Sequence, residues 1–272
     1  MAVSDVNKAS NGGYMQSQKK TILITGGGSG IGLALAEEFR KQGDTVIISN
    51  RSEDKLSHAA SLGFKTYRMD MADSESIKSV TKKILAECPN LNGVIHSAGI
   101  MKQESLISGP SPDVQKETIA INLLGPMLLN DLLIPVFVKQ SSAFVMTISS
   151  GLAFVPLAMF PSYSASKAAV HSYSESLRYQ LKDTPVRVME LAPPYVQTHL
   201  TGDYQASDPD AMPLADFVRE VMDLLRKNPD APEILVDRVR MLRYAGAKGQ
   251  EAYSSFHKEL NDGFTAAIGG VF

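Results

Sequence analysis

The chain has 272 residues, 44% of them hydrophobic and 21% charged, enough apolar mass for a packed core and unlike disordered, collagen-like or disulfide-scaffold chains. At about 150 residues per domain the length alone gives roughly 1.8 domains. A formal net charge of −2 provides no bulk field to draw the chain onto nucleic acid or an anionic membrane. Residues 1–20 (MAVSDVNKASNGGYMQSQKK) lack the continuous apolar stretch of a signal peptide and read as a flexible arm, within which Met15 offers an alternative start after a vector-derived leader. Thr21–Thr25 (TILIT) is a strand that runs straight into glycines, and Ile31, Leu35 and Phe39 then recur every four residues on a helix that should end near Gly43. Residues 45–49 (TVIIS) form the second strand, followed by a helix from about Glu53, a strand over 64–69, a polar helix over 74–87 and a strand over 93–96 (GVIH). A long helix over 112–138 precedes strand 143–148, helix 163–181 and strand 186–191. The last 80 or so residues suggest helices over 213–227 and 249–260 and a short strand over 233–236.

The most membrane-like run, 121–138, is interrupted by Asn122, Gly125, Pro126, Asn130, Asp131 and Pro135, and reads as a buried helix. The lone Cys88 cannot form an internal disulfide and reads as a small buried residue, which suits a reducing, cytoplasmic compartment. Continuous alternation of apolar strands and helices, with no repeat or linker, predicts an α/β fold: one doubly wound parallel sheet in three α/β/α layers over 21–272. Ligands of such folds bind beyond the carboxyl ends of the strands.

After the first strand comes Thr25-Gly26-Gly27-Gly28-Ser29-Gly30-Ile31-Gly32. Glycines allow a tight turn and close backbone approach, and a helix N-terminus offers unpaired N–H groups to a pyrophosphate. No Lys-Ser or Lys-Thr follows, which disfavours a P-loop. On the helix after the fifth strand, Tyr163 and Lys167 stand four residues apart on one face. A cation there would stabilise phenolate and lower the tyrosine pKa from its usual value of about 10.

The T-G-x-x-x-G-x-G spacing, together with Y-x-x-x-K, resembles the compact single-domain branch of the short-chain dehydrogenase/reductase family, and SSGLAFVP and LAPP resemble a DltE-like branch of bacterial oxidoreductases. The resemblance implies a catalytic tetrad of Asn122, Ser150, Tyr163 and Lys167. Strand alternation and the 13-residue spacing to Tyr163 favour Ser150 over Ser149. Hydride would pass between a nicotinamide cofactor and a carbonyl or alcohol carbon. Ser150 would donate to the carbonyl oxygen, Tyr163 would transfer the proton, and Lys167 would hold the ribose. Asn122 would support the helix backbone and a water that relays protons.

The same resemblance implies cofactor contacts from Gly26, Ser29, Gly30, Ile31, Gly32, Asp70, Met71, Ala98, Gly99, Tyr163, Lys167, Val196 and Thr198. Asn50-Arg51-Ser52 replaces the acidic residue that binds a ribose 2′-hydroxyl, and Arg51 suits a 2′-phosphate unless it is an ordinary solvated arginine. NADP(H) is therefore expected over NAD(H). Asp70 contacts adenine or else caps the next helix.

His96-Ser97 stands where the family usually has Asn-Asn, and Pro194 where it has glycine. His96 reads as a structural replacement, and Pro194 as a stiffer turn that re-aims Tyr195. Residues 151–162 (GLAFVPLAMFPS) and the polar stretch 199–217, suited to a mobile lid, should shape an apolar substrate cavity. The alternative for Phe154, Leu157, Met159 and Phe160 is packing internally or against another subunit. The family's usual helix pairing implies a homodimer or homotetramer.

No G-x-S-x-G elbow supports a serine hydrolase. None of His58, His171, His199 and His257 is spaced with another ligand as a metal site requires, so no metal is expected. A sequon at Asn50 is discounted for want of a secretory signal. The competing readings are an NADP-binding sensor without catalysis and an NAD-retaining sugar epimerase.

Overall fold

The computed structural model describes residues 19–109 and 111–267. The arm expected over 1–20 lies outside the described residues except at its end, where the structure corrects the boundary. Lys20 is buried, donates its backbone N–H to Asp44 Oδ1 at 2.8 Å and its ammonium to Ser142 Oγ at 3.1 Å.

Seven parallel strands form one sheet: β1 (Thr21–Thr25), β2 (Thr45–Asn50), β3 (Lys65–Arg68), β4 (Gly93–His96), β5 (Ala143–Ile148), β6 (Val186–Leu191) and β7 (Glu233–Ile234). They lie in the order β3-β2-β1-β4-β5-β6-β7. Ten helices accompany them among the described residues: α1 (Gly30–Lys41), α2 (Glu53–Ser61), α3 (Ser74–Glu87), α4 (Pro112–Ile119), α5 (Gly125–Phe137), α6 (Pro161–Gln180), α7 (Asp203–Ser207), α8 (Leu214–Lys227), α9 (Asp237–Arg243) and α10 (Gln250–Ala267). The expected doubly wound α/β/α architecture is present.

Burial on both faces explains why the strands read as near-continuous apolar runs. Ile22 and Ile24 of β1 enter a core with Leu35 and Phe39 of α1 and Phe217 and Val221 of α8. Leu23 points the other way, into a core with Leu129, Leu133 and Phe137 of α5 and Leu177 of α6. Strand order reverses at β1, so the crevice beyond β1 and β4 is the binding position of this topology.

The long helix 112–138 is not uniform. Between α4 and α5 the backbone widens into a π-turn over Ala120–Leu124, where Gly125 N–H reaches back to the Ala120 carbonyl. By length and composition Pro112–Phe137 could cross a membrane, yet its apolar side packs on the sheet and α3. The π-turn brings Gly125 so close to the β3–α3 loop that an added Cβ would stand 2.3 Å from the Met71 carbonyl oxygen. Gly125→Ala is therefore expected to destabilise the fold by about 1–3 kcal/mol through overpacking, read as a lower denaturation midpoint. An unchanged midpoint would show that this approach is not tight.

Other expectations are corrected. Cys88 is half-buried rather than enclosed, and its sulfur accepts from Lys65 Nζ at 3.5 Å. The expected lid ends early, because Leu214 begins α8 and Phe217 is fully buried in the core. Helix α9 and the short α7 have no counterpart in the sequence reading.

Candidate active site

A cleft of about 490 Å³ opens beyond the carboxyl ends of β1, β4 and β5. One wall is the glycine turn. Gly26 and Gly30 have φ of +67° and +55°, the left-handed region that side chains disfavour. A Cβ on Gly26 would also stand 2.6 Å from Ala98 Cα. The turn delivers the chain to Ser29, which caps α1 without a side-chain hydrogen bond. The first amides of α1 have no partner within the helix, and Gly26, Ser29, Gly30 and Ile31 line the cleft. Gly32 does not: it lets α1 approach the loop after β4, since a Cβ there would stand 2.8 Å from Ser97 Oγ.

Asn50, Arg51, Asp70, Met71, Ala98 and Gly99 continue the lining. Arg51 is not simply solvated: its Nη1 lies 2.9 Å from Glu117 Oε1, whose other oxygen holds Lys102 Nζ at 2.5 Å. Asp70 does not cap α3. Its Oδ1 accepts from Ala72 N–H, while Asp73 provides the cap by accepting from Glu75 N–H.

Tyr163 and Lys167 sit on the first turns of α6, and Ser150 follows the end of β5. All three line the cleft and are buried. The Ser150 hydroxyl accepts from Leu152 N–H at 3.1 Å. Ser149 Oγ, by contrast, is buried without a hydrogen-bond partner. Lys167 Nζ donates to the Ile148 carbonyl at 2.7 Å and lies 5.6 Å from the centre of the Tyr163 ring.

The expected lowering of the tyrosine pKa is overturned in this geometry. Burial pushes Tyr163 up to about 12, and the neighbouring Ser150 hydroxyl opposes it only in part. Burial likewise lowers Lys167 to about 8, with Glu190 pulling it back up. Desolvation outweighs the helical spacing of the pair.

Asn122 stands in the π-turn behind the cleft rather than in its lining. It accepts from Ile100 N–H at 2.9 Å and donates to the Ile100 carbonyl at 3.0 Å and to Ser166 Oγ at 3.1 Å. It thereby clamps the loop after β4 to α6. His96 is structural as expected: buried, its Nε2 2.8 Å from Asn130 Oδ1, and held down to about 4 by desolvation.

The far wall is the loop after β6. Pro193, Pro194, Val196 and Thr198 line it, and Thr198 Cγ2 faces the Cβ position of Gly30 at 3.7 Å. Tyr195 turns away from the cleft, donating to Asp208 Oδ2 at 3.0 Å and meeting the Phe264 ring edge-on at 5.8 Å. The sequence reading missed Gln205. This buried α7 residue donates to the Val196 carbonyl at 2.8 Å and to Thr198 Oγ1 at 3.2 Å. That carbonyl is therefore already engaged, and the Thr198 hydroxyl keeps its proton to donate.

Phe154, Leu157, Met159 and Phe160 are absent from the cleft lining. Leu157, Met159 and Phe160 pack with Tyr163 beneath Leu260 and Phe264 of α10, and Phe154 packs edge-on against His171, ring centres 4.8 Å apart. Met101, Ile148 and Leu200 supply apolar lining instead.

The sequence profile of the short chain dehydrogenase family matches residues 20–209. The chain belongs to that family. It is 38% identical over 237 residues to the uncharacterized oxidoreductase DltE of Bacillus subtilis (strain 168), covering 85% of this chain and 93% of the relative. Among solved structures, a short-chain dehydrogenase from Streptomyces avermitilis superposes with a TM-score of 0.75 at 22% identity, covering 94% of this chain and 100% of that one. A short chain dehydrogenase from Shigella flexneri 2a, complexed with NADP, gives 0.66 at 26% identity, covering 72% and 87%. The family is one of oxidoreductases, and the Tyr163, Lys167 and Ser150 cluster lies at the carboxyl end of β5, beside the glycine turn.

Proposed function

We propose that this oxidoreductase uses NADP(H) to interconvert a largely apolar carbonyl compound and its alcohol. The observation that carries the reading is the convergence of buried Ser150, Tyr163 and Lys167 on the cleft that the glycine turn also lines. The left-handed Gly26 and Gly30 and the free amides of α1 suit a pyrophosphate. Gly26, Ser29, Gly30 and Ile31 would hold it, with Gly32 setting the approach of α1. Asn50 and Arg51 would take the 2′-phosphate, Asp70 and Met71 the adenine, and Ala98 and Gly99 the backbone side of a ribose. Lys167 and Tyr163 would meet the nicotinamide ribose, and Val196 and Thr198 the carboxamide. When bound, the cofactor supplies or accepts the hydride.

The chain's own residues do the proton chemistry. A phenol raised to about 12 keeps its proton at neutral pH, so Tyr163 acts as the donor to a carbonyl oxygen held by Ser150. Asn122 fixes the loop on which Gly99 sits. Exposed Leu124 in the π-turn and Tyr179 on α6 support homo-oligomer formation through these helices.

Cofactor titration tests the nucleotide preference. Because Arg51 and Lys102 converge on Glu117, a 2′-phosphate dianion finds two cations already gathered. NADPH is expected to bind more tightly than NADH, Arg51→Glu to reverse the order, and tighter NADH binding by the unmodified protein would refute the preference. NADPH oxidation against a panel of ketones, aldehydes and quinones then tests the reaction. Binding without turnover across the panel would identify a sensor, and retained NAD without net consumption an epimerase.

A further inference from the structure

Among the described residues one carboxylate outside the proposed chemistry is wholly inaccessible to solvent. Glu190 of β6 is fully buried, with Oε2 2.8 Å from His171 Nδ1 and Oε1 without a hydrogen-bond partner. Such a group is stable in an interior only where positive charge or donors face it. Around His171 stand Glu233 Oε1 at 3.8 Å and Glu175 Oε1 at 3.9 Å. Arg243 Nε donates to both oxygens of Glu233 at 3.0 and 3.1 Å, and its guanidinium covers the Phe154 ring at 4.7 Å. His171, Glu190 and Glu233 offer ligand atoms within 4.8 Å of one another. Since Arg243 already occupies Glu233, the cluster reads as an ion-pair network rather than a cation site. The residues come from α6, β6 and β7, which is why sequence spacing did not reveal it.

The network begins one helical turn from Lys167. Lys167 and His171 are four residues apart on α6 and share a face, which also carries the polar side chains of Ser174 and Arg178 toward β5 and β6. Lys167 Nζ donates to the Ile148 carbonyl at 2.7 Å, Ser174 Oγ meets Thr147 Oγ1 at 2.7 Å, and Arg178 Nε donates to the Val188 carbonyl at 3.2 Å. In the sheet Thr147 is in register with Glu190, and Ile148 with Leu191. The carbonyl that anchors Lys167 and the Glu190 carboxylate therefore belong to adjoining register positions. Lys167 faces Tyr163 of its own helix, Ser150 after β5, and Asn122 of the π-turn across Gly99. Among the described residues, Glu190 is the acidic group that acts on it.

We propose that Glu190, braced by His171, is a positioning residue that supplies the buried negative charge keeping the Lys167 ammonium protonated. The inference rests on the reading of Lys167 as a catalytic group. Burial alone drives the proton from Lys167, and the carboxylate opposes that loss, leaving the value at about 8. The arrangement places a charge-setting residue one helical turn behind the site, out of contact with substrate or cofactor.

Lysine-selective 13C NMR across a pH series of the full-length protein tests it, with Lys167→Met assigning the resonance. The Lys167 signal is expected to titrate near 8, and Glu190→Gln to move that midpoint down by about one pH unit or more. Glu190→Asp should recover part of the shift. The high-pH limb of NADPH-dependent carbonyl reduction should move down with it. Should Glu190→Gln fail to fold, the His171→Asn/Glu190→Gln pair restores a neutral hydrogen bond in the same place and is expected to give the same shift. A Lys167 midpoint unmoved in the folded variant overturns the proposal and leaves Glu190 a packing residue. The titration needs neither cofactor nor substrate, so failure of the catalytic reading, seen as turnover insensitive to Tyr163→Phe, is read separately.

Discussion

Tyr163→Phe is expected to lower turnover by roughly 10²–10⁴, far beyond the effect on NADPH affinity of losing one contact to the nicotinamide ribose. The substitution removes one oxygen. The ring itself packs with Leu157, Met159 and Phe160, a set that phenylalanine satisfies equally, so the fold loses little. The reaction loses its proton donor. Because burial holds the phenol near 12, the donor stays loaded throughout the neutral range and does not limit reduction there. The limiting group is Lys167, lowered to about 8. Its charge is present below that value and lost as pH rises through it, so reduction should decline above about pH 8. Alcohol oxidation, which needs phenolate, should instead require alkaline conditions. Steady-state NADPH oxidation with the best carbonyl of a panel checks both expectations. Turnover surviving the substitution would remove Tyr163 from the chemistry.

The fold was legible because its strands are buried on both faces, so Ile22-Leu23-Ile24 reads as a strand without alternation, and because the β1 turn is built from glycines. Asn122, Ser150, Tyr163 and Lys167 were singled out by the family resemblance together with their spacing. Their energetics were not legible. The four-residue spacing of Tyr163 and Lys167 argued for a lowered phenol pKa, whereas the Lys167 ammonium anchors on the Ile148 carbonyl and desolvation dominates. Long-range partners were also hidden. Glu117 is 66 residues from Arg51, and nothing local marks Gln205 as the side chain that fastens Val196 and Thr198. The π-turn inserts an extra residue into a helix whose apolar pattern hardly changes, so 112–138 read as one helix. The stretch 151–162 looked like cavity wall by composition. Its apolar side chains face α10 and the α6 network instead, and only contacts with residues about 100 positions downstream, such as Asn261 Oδ1 accepting from Ala158 N–H at 2.6 Å, decide that.

Asn122→Leu is expected to reduce stability and turnover together, because one side chain serves both. Asn122 is 2% exposed and satisfies both backbone groups of Ile100. Leucine would leave that N–H and carbonyl unpaired at a cost of about 1–3 kcal/mol each, offset in part by burial of its own methyl groups at roughly 25 cal/mol per Å². A net loss of about 2–4 kcal/mol follows, read as a lower denaturation midpoint. Turnover should fall beyond what lost folded protein explains, since the released loop carries Gly99. A Cβ at Gly99 would stand 3.4 Å from Asn122 Oδ1 and 3.8 Å from Lys167 Nζ. Asn122→Asp separates the two roles. Its carboxylate can still accept from Ile100 N–H but cannot donate to the Ile100 carbonyl or to Ser166, so part of the stability is lost. The new negative charge borders Lys167 and stabilises its ammonium, so the high-pH limb of reduction should move upward. An unchanged midpoint in the leucine variant would show that the Ile100 clamp does not hold the loop. An unmoved limb in a folded aspartate variant would detach Asn122 from the electrostatics of Lys167.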